Sequence, residues 1–175
     1  MAETYWPKFD DKKLWSYGCN GFNRGDRPMS SPGNGLPVDQ LDKLYHTYKA
    51  CLMCARRVHS PANSNGDECI GEIVKYDAEK TPRNQWKCND QPGSCPRLLC
   101  ECDLMFAQNI GDAMEFYDKS KKHGKNKFDP EQDCIRSANG GDLRCCGAPD
   151  QAMATYNANN KQCCKGEILN VGDFC

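Results

Sequence analysis

The residues in this chain whose types could do chemistry are fourteen cysteines, three histidines (His46, His59 and His123) and two polar residues, Tyr48 and Asp103, that stand in otherwise apolar rows. Cysteine can bridge, ligate a metal or carry a redox reaction. Here the cysteines are even in number and spread along the whole chain, as expected of a disulfide framework made in an oxidising compartment. Zinc is the rival reading. Cys51-Leu52-Met53-Cys54, Cys100-Glu101-Cys102 and the pairs Cys145-Cys146 and Cys163-Cys164 lie far apart, and three histidines are too few to complete finger spacings. Cys51 and Cys54 have redox-pair spacing, with structural pairing the simpler expectation. Asp103 and Tyr48 pose a separate question, because a carboxylate on a buried stripe needs a hydrogen-bond partner.

The elements that must position these residues follow from hydrophobic period. Leu41, Leu44, Tyr48, Cys51 and Ala55 recur at steps of three and four, and Pro37 can open a helix, which predicts an amphipathic helix over 37–57. From Pro96 a second stripe runs through Leu99, Asp103, Phe106, Ile110, Ala113 and Tyr117 and ends in a Lys-rich segment before Gly124. Between them, 60–67 reads as a loop, and 70–76 with 84–88 as a short irregular hairpin packed by Tyr76 and Trp86. Residues 18–36 carry Gly, Pro, Asn and Ser at a density that only a loop tolerates. Residues 1–16 offer Trp6, Phe9, Leu14 and Trp15 as anchors without a clean period.

Composition narrows the function classes. The 175 residues carry 23 Lys+Arg against 24 Asp+Glu, a formal charge of -1, so no basic field exists to hold nucleic acid or an anionic membrane. A mean hydropathy of -0.81 leaves little apolar material for a core, which makes covalent staples necessary. No apolar run is long enough to span a bilayer, and 1–16 lack the apolar stretch of a signal peptide. If the protein is secreted, Met1 stands where a targeting segment has been removed. The run Lys119 to Lys127 reads first as a solvated face or linker. From Phe128 onward no long period remains, and Cys134, Cys145, Cys146, Cys163, Cys164 and Cys175 look like the staples of a separate module whose fifteen connectivities stay open.

Tyr17-Gly18-Cys19, then Gly35-Leu36-Pro37-Val38-Asp39-Gln40-Leu41-Asp42, then the ordered set Cys88, Cys95, Cys100, Glu101, Cys102, Asp103 resemble the secreted phospholipase A2 family over roughly 14–122. The resemblance implies a mainly α, disulfide-rich fold of two long antiparallel helices, with a calcium loop before the first and a small β-hairpin between them. In that family a His on the first long helix is the general base that activates water. The following Asp binds calcium together with carbonyls of the Gly-rich loop. Here Tyr48 stands at the base position and Lys49 at the calcium position. A phenol is protonated at neutral pH, and an ammonium repels a divalent cation and offers it no oxygen. His46, two residues from Tyr48, points to another helix face.

The loop also departs from the family, with an insertion between Cys19 and Pro37 and with Asn20-Gly21-Phe22 where the pattern has x-Cys-Gly. Asp103 stands where the family orients its catalytic His, and the expectation is that it accepts from the Tyr48 hydroxyl or pairs with Lys49. Two family bridges, Gly21 to Tyr45 and Leu44 to Asn109 in this numbering, have lost both partners together. The resemblance leaves Cys51–Cys102, Cys88–Cys100 and Cys69–Cys95. Cys19 and Cys54 remain over and are paired with each other. The short, Pro7-containing start leaves little room for the family's lipid-docking helix.

The tail from Cys134, with Cys145-Cys146-Gly147, Tyr156-Asn157 and Cys163-Cys164-Lys165-Gly166, resembles the di-cysteine repeats of galaxin-like proteins. The two resemblances divide the chain into 1–127 and 128–175. Together they imply a secreted, non-catalytic protein with a structural role in extracellular matrix or at a mineral surface, with no calcium at the family site and no nucleic-acid partner. The alternatives are a calcium-dependent phospholipid hydrolase with an atypical site, using His46 or His59 and Asp26, or a non-catalytic membrane-active toxin suggested by Lys49 and the Lys-rich run. Arg24-Gly25-Asp26 is a candidate for receptor binding, although such a tripeptide recurs by chance in loops.

Overall fold

The computed structural model describes residues 1–22, 27–59, 68–124, 127–136 and 142–175. The Arg24-Gly25-Asp26 tripeptide and the loop expected over 60–67 lie outside the described residues. Two single-turn helices, α1 (Ala2–Tyr5) and α2 (Asp11–Leu14), open the chain, the second started by the Asp10 side chain accepting from Lys12 N. Helix α3 (Gln40–Val58) begins three residues later than Pro37 suggested. The cause is local: Asp39 is extended, and its carboxylate accepts from Asp42 N, so Asp39 is the cap. Arg56 and Arg57 in the last turn suit the negative end of the helix dipole.

The first strand of the central hairpin is not at 70–76. Two backbone N–H groups, of Ile73 and Val74, donate to Ile70 O, which curls this apolar segment into a turn. The hairpin is β1 (Ala78–Lys80) against β2 (Trp86–Cys88), antiparallel, with Ala78 opposite Cys88. Helix α4 (Cys95–Ala113) is capped by Ser94, with Pro96 in its first turn. It stops before Tyr117 and gives way to 3-10 turns at Met114–Phe116 and Lys119–Lys121. Cys51 bridges Cys102, Tyr48 bonds Asp103 and Tyr45 packs on Phe106, so α3 and α4 run antiparallel.

The core forms in two clusters along this helix pair. One gathers Leu14, Tyr17, Leu41, Leu44, Tyr45, Phe106, Ile110 and Ala113. The other gathers Cys51, Leu52, Ala55, Cys69, Leu98, Leu99 and Cys102, with Ala152 and Met153 of the tail packed against it. Tyr48 and Met105 touch both clusters.

All fourteen cysteines are in disulfides. Cys51–Cys102, Cys69–Cys95 and Cys88–Cys100 tie the helices and hairpin. The pairing of Cys19 with Cys54 is corrected: Cys19 bridges Cys134, and Cys54 bridges Cys145. Both cysteines are wholly buried in the body, Cys19 in the Gly-rich loop and Cys54 on α3, and each is met by a different stretch of tail. The tail is therefore not stapled only to itself. After the single-turn α5 (Pro130–Asp133), β3 (Leu143–Cys146) pairs with β4 (Ala154–Asn157), and β5 (Lys161–Cys164) with β6 (Glu167–Asn170), both antiparallel. Cys146–Cys163 joins the two hairpins, and Cys164–Cys175 closes the second. The first hairpin is held to the body by Arg57 Nη1 donating to Leu143 O (3.0 Å) and Gly93 N donating to Pro149 O (2.6 Å).

Candidate functional site

Tyr48 and Asp103 meet across the helix pair, the hydroxyl donating to Oδ1 at 2.6 Å. Tyr76, just ahead of β1, donates to Oδ2 at 2.6 Å. Each carboxylate oxygen thus has its own phenol, and Asp103 is not paired with Lys49. The sequence favours a packing role in the hairpin for Tyr76 and does not predict this bond. The one signal pointing to it was the need of a two-oxygen acceptor for a second donor. Burial lifts the Asp103 carboxyl above its ordinary range, opposed by the two phenol hydrogen bonds. Burial, then the charge of Asp103, pushes the Tyr48 hydroxyl well above the usual tyrosine range. A phenol so held stays protonated and serves as a donor, not as a base.

Replacing Asp103 with Asn is expected to cost about 1–2 kcal/mol of stability, since both carboxyl oxygens accept from a phenol and an amide nitrogen cannot, so one phenol loses its acceptor. Because the folded carboxyl titrates above the unfolded one, its contribution is full below the ordinary carboxylate pKa and declines as pH rises through the folded value. The penalty in thermal melts is therefore largest in acid. A penalty absent at every pH would contradict the network.

The Gly-rich loop is organised around Asp42, a wholly buried carboxylate on the first turn of α3. It accepts from Cys19 N (2.9 Å), Asn20 N (2.7 Å), Asn20 Nδ2 (3.3 Å) and Val38 N (3.1 Å). Gly18 lies at φ +53°, and a Cβ there would sit 2.6 Å from Asp42 Cγ, so the approach requires glycine. Four carbonyls of the loop already accept protein donors. Tyr17 O takes Gly21 N, Gly18 O takes His123 Nε2 (2.6 Å), Cys19 O takes Asn34 N, and Gly35 O takes Asn20 Nδ2. From the tail, Ile135 O accepts from Leu36 N at 2.8 Å beside the Cys19–Cys134 bridge.

Lys49, on α3, is 7% exposed and has no hydrogen bond or ion pair among the described residues. Burial lowers its ammonium below the ordinary lysine range, and the charge of Asp42 partly restores it. Phe22, at a position where the family pattern has glycine, lays its ring among Trp15, Tyr45, Tyr48 and Phe106, with centroids 5.0–5.9 Å apart. Aromatic surface thus covers the Tyr48 side of the helix pair.

The histidines fall elsewhere. His46 is exposed and lines a cleft of about 430 Å³ with Asn20, Gly33, Gly35 and Arg136. His59 Nε2 lies 3.0 Å from Gly93 O, and His123 is spent on Gly18 O. Leu44 and Asn109, aligned with a missing family bridge, line one cleft of about 570 Å³ on the outer side of α3 and α4. Lys121 pairs with Asp39 at 2.9 Å, and Lys122 donates to Lys12 O at 2.9 Å and to Trp15 O. Those two lysines of the basic run therefore fasten the chain's first residues and the α3 cap. No helix among the described residues is long and apolar enough to cross a membrane.

No family model matches the chain. Over 112 residues it is 28% identical to a basic phospholipase A2 beta-bungarotoxin A2 chain of Bungarus flaviceps flaviceps, covering 64% of this chain and 61% of that relative. Over 121 residues it is 26% identical to a beta-bungarotoxin A1 chain of Bungarus caeruleus, again a basic phospholipase A2, covering 67% of this chain and 70% of the relative. A shorter match of 71 residues is 37% identical to basic phospholipase A2 2 of Bungarus caeruleus, with 41% and 45% covered. The first of these relatives is thus spanned over less than two thirds of its length. These distant homologies, with the disulfide-rich helices and small antiparallel sheets, support a phospholipase A2-like domain.

Proposed function

We propose that this chain is a non-catalytic, secreted phospholipase A2-like protein that acts by binding or as a structural component outside the cell. The observation that carries the reading is the buried Lys49 side chain, which the family resemblance sets at the metal position, beside a loop already gathered on Asp42. The residues present do not fit calcium. The position that should give a carboxylate gives a cation, and loop carbonyls are turned to protein donors. The base position supplies a donating phenol. Seven disulfides suit an oxidising, extracellular setting. The galaxin-like pattern of 128–175 favours a matrix role, with a mineral surface as one candidate, tempered by a net charge of only -1.

The relatives' names favour one second reading, a membrane-active protein without hydrolysis. They are called basic, whereas this chain is nearly neutral. Mixed phospholipid vesicles loaded with dye separate the three cases. The proposal expects neither fatty-acid release nor leakage. Leakage alone would favour the membrane-active reading, and calcium-dependent release would restore the enzyme.

A further inference from the structure

Lys43, His46 and Arg136 are exposed donors that line adjoining clefts, and none has a side-chain partner among the described residues. Lys43 and His46 are three apart on α3 and so share one face of it. Arg136 comes from the tail. It is brought to this face because Cys134 is bridged to Cys19 and Leu36 N donates to Ile135 O, which lays the chain along the Gly-rich loop. Gly35 permits the approach, since a Cβ there would lie 2.5 Å from Ile135 O.

The two clefts, of about 670 and 430 Å³, meet at Leu36 and His46 and give one groove. Its lining belongs to the Gly-rich loop, to α3 as far as Thr47 and to Phe116, so no strand edge is offered to the backbone of a peptide. Asn34, Gln40 and Thr47 add polar groups suited to hydroxyls, and the exposed ring of Phe116 adds a flat apolar face. One carboxylate, Asp39, lines the groove as well, and its charge is met by Lys121 at 2.9 Å. A net charge of -1 gives no long-range pull on a polyanion, but pairs formed inside a Debye length of about 8 Å depend on the charges at contact.

We propose that this groove binds a segment of an acidic polysaccharide. Arg136, Lys43 and His46 donate to its sulfate or carboxylate groups, Arg136 through the paired N–H bonds that suit an oxyanion. Asn34, Gln40 and Thr47 bond its hydroxyls. A groove admits a chain of sugar rings, whereas a flat lipid surface cannot enter it. The inference names a partner class for the extracellular role proposed above and rests on that reading only for where the partner is met. Titration reads this binding and fatty-acid release reads catalysis, so the two fail separately.

Calorimetric titration of the intact, oxidised chain with a heparin octasaccharide at low salt tests it. Binding is expected with a dissociation constant of about 1–100 μM. That constant should rise at least about fivefold in Arg136→Gln and in Lys43→Gln, and also with added salt. Both positions are exposed, so the variants are expected to melt as the native protein does. Lys87→Gln, at an exposed lysine of β2, should leave the constant within about twofold. No binding up to about 1 mM, a constant unmoved by both groove variants, or one weakened equally by Lys87→Gln would overturn the inference. So would equal affinity for inorganic sulfate, which would make this a site for a free anion, or for a short polyglutamate, which would make the partner an acidic peptide.

Discussion

Asp42→Ala is expected to lower the stability of the folded chain by about 4 kcal/mol, more than any other single change among the site residues. The carboxylate is wholly buried and accepts from three backbone N–H groups and the Asn20 amide, all in the Gly-rich loop and its approach to α3. Removing it leaves those donors in a space that water reaches poorly, and each orphaned donor costs about 1–3 kcal/mol before relaxation. It also strips Lys49 of the one negative charge that favours its ammonium. Asp42→Asn, which keeps one acceptor oxygen, should lose roughly half as much. Urea unfolding of both variants measures this. A midpoint for Asp42→Ala within experimental error of the native value would mean that the loop is not built on this carboxylate.

The second large effect concerns the staple on the same loop. Cys19 and Cys134 are 115 residues apart in sequence, and loop-closure entropy puts the loss of such a link at about 4–5 kcal/mol. Replacing both by serine should therefore destabilise the protein by about 2 kcal/mol more than replacing Cys164 and Cys175, whose separation is 11. The loss should be local as well as global. Leu36 N, which donates to Ile135 O beside the bridge, should exchange its proton faster in the variant than amides on α4 do. Equal destabilisation by the two serine pairs, with Leu36 unchanged, would show that the tail does not hold the loop.

The parts of this architecture that could be read from sequence are those set by periodicity. The stripes through Leu41 and Ala55 and through Leu99 and Ala113 mark the two long helices because one face of each enters the core. Their ends were less legible. Asp39 spends its side chain on the first turn, and the second stripe runs past Ala113 to Met114 and Tyr117, which still pack on the core although the helix has ended. The hairpin's first strand was placed over the more apolar 70–76, whereas the pairing strand Ala78–Lys80 has no strand-like composition. Register with Cys88 and the turn at Ile70 decide it.

Within the site, the bond from the Tyr48 hydroxyl to Asp103 was legible from two polar residues in apolar stripes, and the second donor to that carboxylate was not. Tyr76 and Asp42 act through contacts between segments far apart in the chain, which no local spacing encodes. The cysteines show the same limit. The six cysteines from Cys134 onward look in the sequence like the staples of a separate module, yet Cys134 and Cys145 are drawn to buried partners on the body. Packing of Ala152 and Met153 against the Cys51 cluster brings the first hairpin there.

The central claim is that the protein itself, through Asp42 and the Cys19–Cys134 bridge, holds the Gly-rich loop that a calcium ion would otherwise organise. The most direct test is the melting temperature of the native chain with calcium and with chelator. A site binding calcium one hundredfold below the concentration used would add about 2.7 kcal/mol. In a protein of this size that is a rise of about 5–10 °C. The account predicts a shift within about 1 °C, the scale left for weak ion effects on an exposed surface. A rise of several degrees that saturates with calcium and disappears in Asp42→Asn would contradict it.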